Sequence, residues 1–137
     1  MENIKNKYRN LKLAGSAPNC GIVAIAYAVN MPLNTVTSDF KEVLNFHGNW
    51  KGRTSTRDRK TLMDLYGLKY IQLEYKSNTF GKWVKNEMNR NKHYLVRVTN
   101  HVFNIDKGIL IDQYSIIPAG SCNKLKKRMR DVLEIIN

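Results

Sequence analysis

The sequence predicts an α+β fold in which N-terminal helices pack on a C-terminal antiparallel sheet. In the first half of the chain, apolar residues recur with the period of about 3.6 residues that is typical of helices. From Tyr94 onward the pattern changes to the alternation of strands. Helices followed by strands are the order of an α+β layout. The 137 residues contain no internal repeat or linker, so we expect one domain spanning residues 1–137.

The composition is that of an ordinary globular protein, with 42% apolar and 25% charged residues. No apolar run approaches the roughly 18 residues that span a membrane. The first residues are charged and lack the apolar stretch of a signal peptide. Two cysteines, Cys20 and Cys122, are too few for a disulfide scaffold. We therefore expect a reduced, cytoplasmic protein that has no membrane partner.

The net charge of +12 favours encounters with anionic partners such as an acidic protein or nucleic acid. Only one basic cluster is dense, Lys124–Arg130, which has the sequence KLKKRMR. No recognised nucleic-acid motif accompanies it. Nucleic-acid binding through a helix in this segment is therefore an alternative rather than the main expectation, and a solvated basic surface is the simpler explanation.

The first predicted helix begins at Cys20 and continues as GIVAIAYAV. This stretch is apolar on every side, which indicates a helix that is buried all round. Asn19 is a good N-cap, and Pro18 before it fits a helix entry. Pro32 ends the helix, because the residue before a proline avoids helical geometry.

Three further helices are expected from apolar spacing and capping residues. The first covers Ser38–Phe46. The second follows a polar loop at Asn49–Thr56 and is capped by Thr56, and the third is capped by Thr79. A strand, Tyr70–Tyr75, separates the last two. The expected apolar faces and end residues are Phe40, Val43 and Leu44 with Gly48 for the first helix, Leu62, Met63, Leu65 and Tyr66 with Gly67 for the second, and Phe80, Trp83, Val84 and Met88 for the third.

Strands are predicted in the second half at Tyr94–Asn100, His101–Asp106 and Ile109–Tyr114, the last two joined by Lys107-Gly108. The chain is then expected to close with a helix from about Asn123. Its apolar face would comprise Leu125, Met129, Val132, Leu133 and Ile136.

Cys20 is the first candidate for chemistry. At the first turn of a helix, unpaired N–H groups and the helix dipole favour the thiolate, which is the reactive form of cysteine. The same N–H groups can stabilise an oxyanion on a substrate carbonyl. A small buried residue that packs at a helix end is the alternative explanation. Cys122, after a Gly-Ser turn, is expected to be a plain thiol.

His101 and Asp112 are the second and third candidates. If Lys107-Gly108 forms a two-residue loop, these side chains lie on the same face as diagonal neighbours. A carboxylate there can accept a hydrogen bond from one imidazole nitrogen and leave the other for a cysteine. A three-residue loop would turn Asp112 to the opposite face. The alternative is a surface histidine beside a strand-end aspartate.

These residues carry a family resemblance. The segment PNCGIVAIAYAVNMP resembles the nucleophile helix of papain-like cysteine peptidases, as does the order of cysteine, histidine and aspartate. The sequence is most similar in look to small papain-like proteins of bacteriophages and to the double-glycine leader peptidases of bacteriocin export. HYLVRVTNHVFNIDKGILIDQ resembles their strand, histidine, strand, turn, strand and acid signature, and Gly52–Thr56 resembles their middle loop. The resemblance covers Pro18–Tyr114.

The resemblance implies a papain-like cysteine hydrolase or acyltransferase, such as a peptidase, deamidase or deconjugating enzyme. It would act on an amide or thioester of a protein or peptide, and the charge favours an acidic substrate. Cys20 would be the nucleophile, His101 the general base and Asp112 the residue that orients it. No cofactor is implied, and His47 and His93 lack the spacing of metal ligands to the cysteines. The resemblance also implies a bacteriophage protein acting on host proteins in the host cytoplasm.

The sequence departs from the family pattern at the oxyanion hole. Papain-like enzymes place a glutamine about six residues before the cysteine, where this chain has Ala14. Asn19 and Gln113 are the candidate replacements, beside the backbone N–H of Cys20. Loss of one such donor costs about 3–4 kcal/mol of transition-state stabilisation. A catalytically silent papain-like binding module is therefore a further alternative.

Overall fold

The computed structural model describes residues 4–7, 20–43, 45 and 54–136. Within these ranges it is an α+β structure, as the sequence predicts. Residues 4–7 form a helical turn. The helices are α1 (Cys20–Val29), α2 (Leu33–Val43), α3 (Thr56–Leu65) and α4 (Phe80–Asn86), and the strands are β1 (Lys69–Gln72), β2 (His93–Val98), β3 (His101–Asp106), β4 (Ile109–Ile111), β5 (Ile116–Pro118) and β6 (Met129–Ile136), with a 3₁₀ turn at Ala119–Ser121.

The six strands form one open sheet in the order β1-β6-β2-β3-β4-β5. All neighbouring strands are antiparallel. The β3–β4 hairpin pairs Asp106 with Ile109, so its loop consists of Lys107 and Gly108 alone. Both loop residues have positive φ, 52° and 81°, as a type I′ turn requires. The predicted two-residue loop is therefore confirmed, and with it the register between the two strands.

Both faces of the sheet are covered by helices. Successive residues of a strand point to opposite faces, and in β2 they enter two different clusters. Leu95 packs with α1, α2 and α3, whereas Tyr94 and Val96 pack with α4. The helices thus form layers on either side of the sheet. Large buried side chains of the first cluster include Tyr27, Phe40 and Met63, and those of the second include Phe80, Trp83 and Phe103.

The helix α1 is buried all round, as its sequence predicts: every residue from Gly21 to Ala28 is buried. It ends in a Schellman motif at Asn30, which has a positive φ of 58°. There the N–H of Met31 donates to the Ala26 carbonyl at 3.0 Å. The predicted N-cap Asn19 and the preceding Pro18 lie outside the described residues.

The prediction for α2 is wrong about where the helix begins. It begins at Leu33, directly after Pro32, and not at Ser38. Its buried residues are Leu33, Val36 and Phe40, which have helical spacing. The pattern is weak in the sequence because threonines and an asparagine lie between them. Val43 is exposed rather than on the inner face. Leu44, Phe46 and Gly48 lie outside the described residues.

The helix α3 is capped by Ser55 and not by Thr56. The Ser55 hydroxyl accepts from the Asp58 N–H at 3.1 Å, and the Asp58 carboxylate accepts from the Ser55 N–H at 3.3 Å. This is a capping box, which satisfies two N–H groups at the helix start. Gly67, at φ 72°, ends the helix as predicted. Leu62 and Met63 are buried as expected, Tyr66 is half-buried, and Leu65 is 64% exposed.

The predicted C-terminal helix is wrong, because Met129–Ile136 forms the strand β6. This strand lies between β1 and β2, with a cluster on each face of the sheet. Met129 and Val132 enter one cluster, and Leu133 and Ile135 enter the other. Burial on both faces produces a spacing that imitates a helix. The basic segment Lys124–Arg130 is consequently not a helix either; it forms a turn followed by the start of β6.

The remaining elements differ from prediction in length. The strand expected at Tyr70–Tyr75 is β1, Lys69–Gln72, and the one expected at Ile109–Tyr114 ends at Ile111. The helix α4 begins as predicted, and the hydroxyl of its N-cap Thr79 accepts from the Lys82 N–H at 3.4 Å.

Membrane-spanning potential was assessed for the part of the chain that the structure describes. No single helix there is both long and apolar enough to cross a bilayer. Taken together, α1 and α2 meet the length and composition criteria for a membrane span, by those two criteria alone. The two helices are bent by 114° at the break between them.

A buried polar contact joins α1 to the sheet. Asn104 of β3 is fully buried, and its Nδ2 donates to the Ala24 carbonyl at 2.9 Å. Its Oδ1 lies 2.7 Å from Nε2 of His93, which donates to it. Nearby, the Tyr27 hydroxyl donates to the Asp106 carboxylate at 2.7 Å. These contacts fix the position of α1 along β3.

We expect Asn104→Ala to lower the free energy of unfolding by about 2–4 kcal/mol, measured by urea denaturation. The substitution removes both contacts and leaves the Nε2–H of His93 buried without an acceptor. Asn91→Ala is the matched control, because Asn91 is exposed, and it should change stability by less than about 0.5 kcal/mol. Equal urea midpoints for the two variants would show that the Asn104 contacts do not support the fold.

Candidate active site

Cys20 lines an open groove with a volume of about 650 Å³, called here the Cys20 groove. His101, Gln113 and Tyr114 also line it, as does Arg59 of α3. Cys20 is half-buried and is the first residue of α1. The thiol is therefore both accessible from the groove and held by a buried helix.

Cys20 and His101 line the same groove and lie close enough for each to shift the pKa of the other. Burial alone would raise the pKa of the thiol. The interactions of the sulfur with the His101 side chain and the Val102 N–H, together with the positive charges of His101 and Arg59, outweigh burial and lower it. A lower pKa increases the thiolate fraction at neutral pH. His101 therefore favours the reactive form of Cys20.

His101 is also in contact with Asp112. Its Nε2 lies 3.0 Å from Oδ2 of Asp112, which confirms the contact expected from the hairpin register. Burial disfavours the charged imidazole, but the interactions with Asp112 and Cys20 outweigh it and raise the pKa of His101. The three predicted residues are thus brought together in one cluster.

Asp112 is held as a carboxylate by several donors. Its Oδ1 accepts from the N–H groups of Tyr114 and Ser115 at 2.9 and 2.8 Å, and from the Ser115 hydroxyl at 3.1 Å. Its Oδ2 accepts from His101 and from Lys124, whose Nζ lies 3.2 Å away. Burial opposes ionisation, but these hydrogen bonds and the charge of Lys124 hold the pKa of Asp112 well below its usual range. The carboxylate is fixed in position and in charge.

Lys124 is a member of the site that sequence reasoning missed. Its side chain is only 12% exposed, and its ammonium shares Oδ2 of Asp112 with His101. In the sequence it belongs to the dense basic cluster Lys124–Arg130, where nothing separates it from its neighbours. Its role becomes visible only when the turn before β6 brings it against Asp112.

Gln113 is the oxyanion candidate that the structure describes. It lines the Cys20 groove, and its Oε1 is buried without a hydrogen-bond partner among the described residues. An oxyanion would require the donor of the same carboxamide, Nε2. The other side-chain candidate, Asn19, lies outside the described residues, as does Ala14 at the position of the family's glutamine.

Arg59 supports the loop beside Cys20. It is only 6% exposed, and its Nη1 donates to the carbonyl and the hydroxyl of Thr54, both at 2.9 Å. Its Nη2 donates to the Thr56 hydroxyl at 3.1 Å. A Cβ atom at Gly21 would lie 1.9 Å from the Thr54 hydroxyl, so glycine allows this close approach. Of the predicted Gly52–Thr56 loop, the first two residues lie outside the described residues.

The sequence does hold a signal for Arg59. It stands three and four positions before Leu62 and Met63, on the same face of α3. A charged residue on a buried helical face requires a polar partner, and Thr54 and Thr56 supply it here. The signal was missed because lysines and arginines surround this position.

Tyr114 covers one side of His101. The two rings are stacked, with centroids 6.5 Å apart and planes inclined by 18°. Tyr114 is 73% exposed, so its other face is open to the groove.

The other candidate residues lie apart from this cluster. Within the described ranges, no group of three or more His, Cys, Asp and Glu side chains is arranged to hold a metal ion. His93 bonds to Asn104 inside the core, and His47 lies outside those ranges. Cys122 is half-buried, and its sulfur accepts from the Lys124 N–H at 3.4 Å.

Comparison with known proteins does not assign this chain to a family. No family model, no curated protein and no solved structure matches it. The chemistry of the site therefore follows from the contacts of Cys20, His101 and Asp112 themselves.

Proposed function

We propose that this protein is a cysteine hydrolase or acyltransferase of the papain-like type, acting on an amide or thioester carbonyl of a protein or peptide. The observation that carries the proposal is the cluster of Cys20, His101 and Asp112, in which His101 interacts with both other residues. A nucleophile, a base in contact with it and a third group that orients the base are the parts that covalent catalysis needs.

In the first step the Cys20 thiolate attacks the substrate carbonyl carbon. A C–S bond forms, and the π electrons of the carbonyl move to its oxygen, giving a tetrahedral oxyanion. The N–H groups of the first turn of α1, which have no partner within the helix, and Nε2 of Gln113 are the candidate donors to this oxygen. When the intermediate collapses, the C–N bond breaks, and the imidazolium of His101 gives its proton to the leaving amine.

In the second step the acyl group leaves the enzyme. His101, now neutral, removes a proton from water, and the oxygen of that water attacks the thioester. The C–S bond then breaks and returns the thiolate, with the acid as product. If an amine attacks in place of water, the same step transfers the acyl group. Asp112 fixes the ring of His101 throughout and stabilises the imidazolium.

Proteolysis, deamidation of a glutamine and removal of a conjugated modifier all pass through this acyl-enzyme. A host protein or peptide, in the setting of a bacteriophage, is the substrate that the family resemblance favours. A catalytically silent binding module is the alternative, and it predicts a partner whose binding survives Cys20→Ala.

We expect Cys20 to react with a thiol-directed acylating probe at a lower pH than Cys122. His101 and Arg59 lower the pKa of Cys20, and the thiolate is the reactive form. The measurement is the labelling rate of each thiol by peptide mass spectrometry, from about pH 5 to pH 9. The pH of half-maximal rate should be lower for Cys20, with Cys122 as the internal reference.

The matched variant for this experiment is His101→Ala. It should lower the Cys20 rate about 10²-fold at neutral pH and leave the Cys122 rate unchanged. If Cys20 labels no faster than Cys122 and His101→Ala changes neither rate, the catalytic proposal is wrong.

We expect Asp112→Asn and Lys124→Met to shift the pKa of His101 in opposite directions. His101 and Lys124 share one oxygen of Asp112. Removing the carboxylate charge withdraws support from the imidazolium, so the pKa of His101 falls. Removing the lysine charge leaves that carboxylate to His101 alone, so the pKa rises. NMR titration of the His101 ring protons measures both shifts.

Lys92→Met is the control for the lysine variant. It removes the same charge from an exposed ion pair with Glu134, away from the Cys20 groove. It should leave the titration of His101 unchanged. Shifts of equal sign in Asp112→Asn and Lys124→Met would contradict the shared-oxygen arrangement.

A further inference from the structure

Two arginines lie close together at the Cys20 groove, Arg59 from α3 and Arg97 from β2. Both line the groove with Cys20, and both also line, together with Asp131, a separate cavity of about 10 Å³. Arg97 belongs to the face of β2 that α1, α2 and α3 cover, because it alternates with Val96 and Val98 on the other face. The groove therefore carries two guanidinium groups beside the thiol.

The two arginines differ in their hydrogen bonding. Arg59 is engaged by Thr54 and Thr56 through three hydrogen bonds. The Nε of Arg97 is buried and has no hydrogen-bond partner, and its guanidinium forms no hydrogen bond or ion pair with the described residues. A buried donor without an acceptor is costly and rare in folded proteins. The buried Nε–H of Arg97 is thus a donor without an acceptor among the described residues, on a half-buried side chain that reaches the groove.

No carboxylate lines the described part of the groove itself; Asp131 lines only the small cavity that the two arginines share. Asp131 stands opposite Arg97 in the β2–β6 pairing, but its carboxylate accepts from Nε2 of Gln72 and forms no ion pair with Arg97. Burial lowers the pKa of Arg59, the Cys20 thiolate raises it, and the charge of Arg97 lowers it further, while Asp131 and Asp58 oppose that repulsion. An anion on the groove side of the arginines would add to this compensation.

We propose that Arg97, beside Arg59, binds a carboxylate of the substrate next to the scissile bond. This inference rests on the proposed function of Cys20 and names the class of substrate: an acidic peptide or protein segment. A guanidinium binds a carboxylate through two parallel N–H donors, a geometry that an ammonium lacks. The carboxylate is either the side chain of an Asp or Glu in the substrate or the substrate's C-terminal carboxylate. A guanidinium binds these two sources in the same way.

The experiment uses the full-length protein and four peptide Michael acceptors that label the thiol. In the first pair, one peptide carries Glu and the other Gln immediately before the reactive group. In the second pair, one peptide ends in a free carboxylate and the other in an amide, on the far side of the reactive group. We expect at least one carboxylate probe to label Cys20 about tenfold faster than its amide partner. A hydrogen bond to a charged group contributes enough free energy for a rate ratio of about this size. The pair that shows this preference identifies the source of the carboxylate.

Arg97→Gln should bring the ratio between the two rates towards one, and Arg97→Lys should restore only part of it. Arg57→Gln is the matched control: Arg57 is exposed on the same helix as Arg59 and does not line the groove. It should keep the full ratio. Circular dichroism melting of each variant separates loss of preference from loss of fold.

Three results would overturn the inference. Equal labelling of Cys20 by acid and amide probes removes the subsite while leaving the reactive thiol in place. If Arg97→Gln slows labelling by the acid and the amide probes equally, Arg97 has a structural role and does not bind the carboxylate. Labelling of Cys20 no faster than that of Cys122 by every probe removes the proposed function, and the subsite with it.

Discussion

The packing of α1 against β3 is the constraint on which the candidate site depends. Cys20 begins a helix that is buried on every side, whereas His101 begins a strand. The two residues meet only because helix and strand are locked in one alignment. Asn104 provides that lock, since it bonds to the helix backbone from the middle of β3. A shift of the helix by one turn, about 5.4 Å, would separate the sulfur from the imidazole.

Charge is distributed unevenly around this contact. On one side of His101, Asp112 is surrounded by donors and is balanced by Lys124. On the other side, Arg59 and Arg97 face the groove without a carboxylate among its described lining residues. The first arrangement holds the base in place and depends on the protein alone. The second is incomplete in the described structure, and in our proposal the substrate completes it.

Local signals in the sequence predicted the parts of the fold that local chemistry determines. The all-apolar stretch after Cys20 predicted the buried helix, and Lys107-Gly108 predicted the hairpin register, because such turns need residues that tolerate positive φ. The register in turn predicted the contact between His101 and Asp112. These inferences needed no knowledge of distant parts of the chain.

Features that depend on distant contacts could not be predicted in this way. β6 lies between two strands and has both faces covered, so its apolar residues follow no strand alternation. Lys124 reaches Asp112 only because the turn before β6 folds back on the hairpin.

The position of β6 also affects the order in which parts of the chain fold. Within the described residues β1 pairs only with β6, so it has no strand partner until Met129–Ile136 has been synthesised. Pairing between segments so distant in the sequence forms slowly, and the edge of the sheet at β1 is therefore among the last parts of the described structure to form as the protein is made.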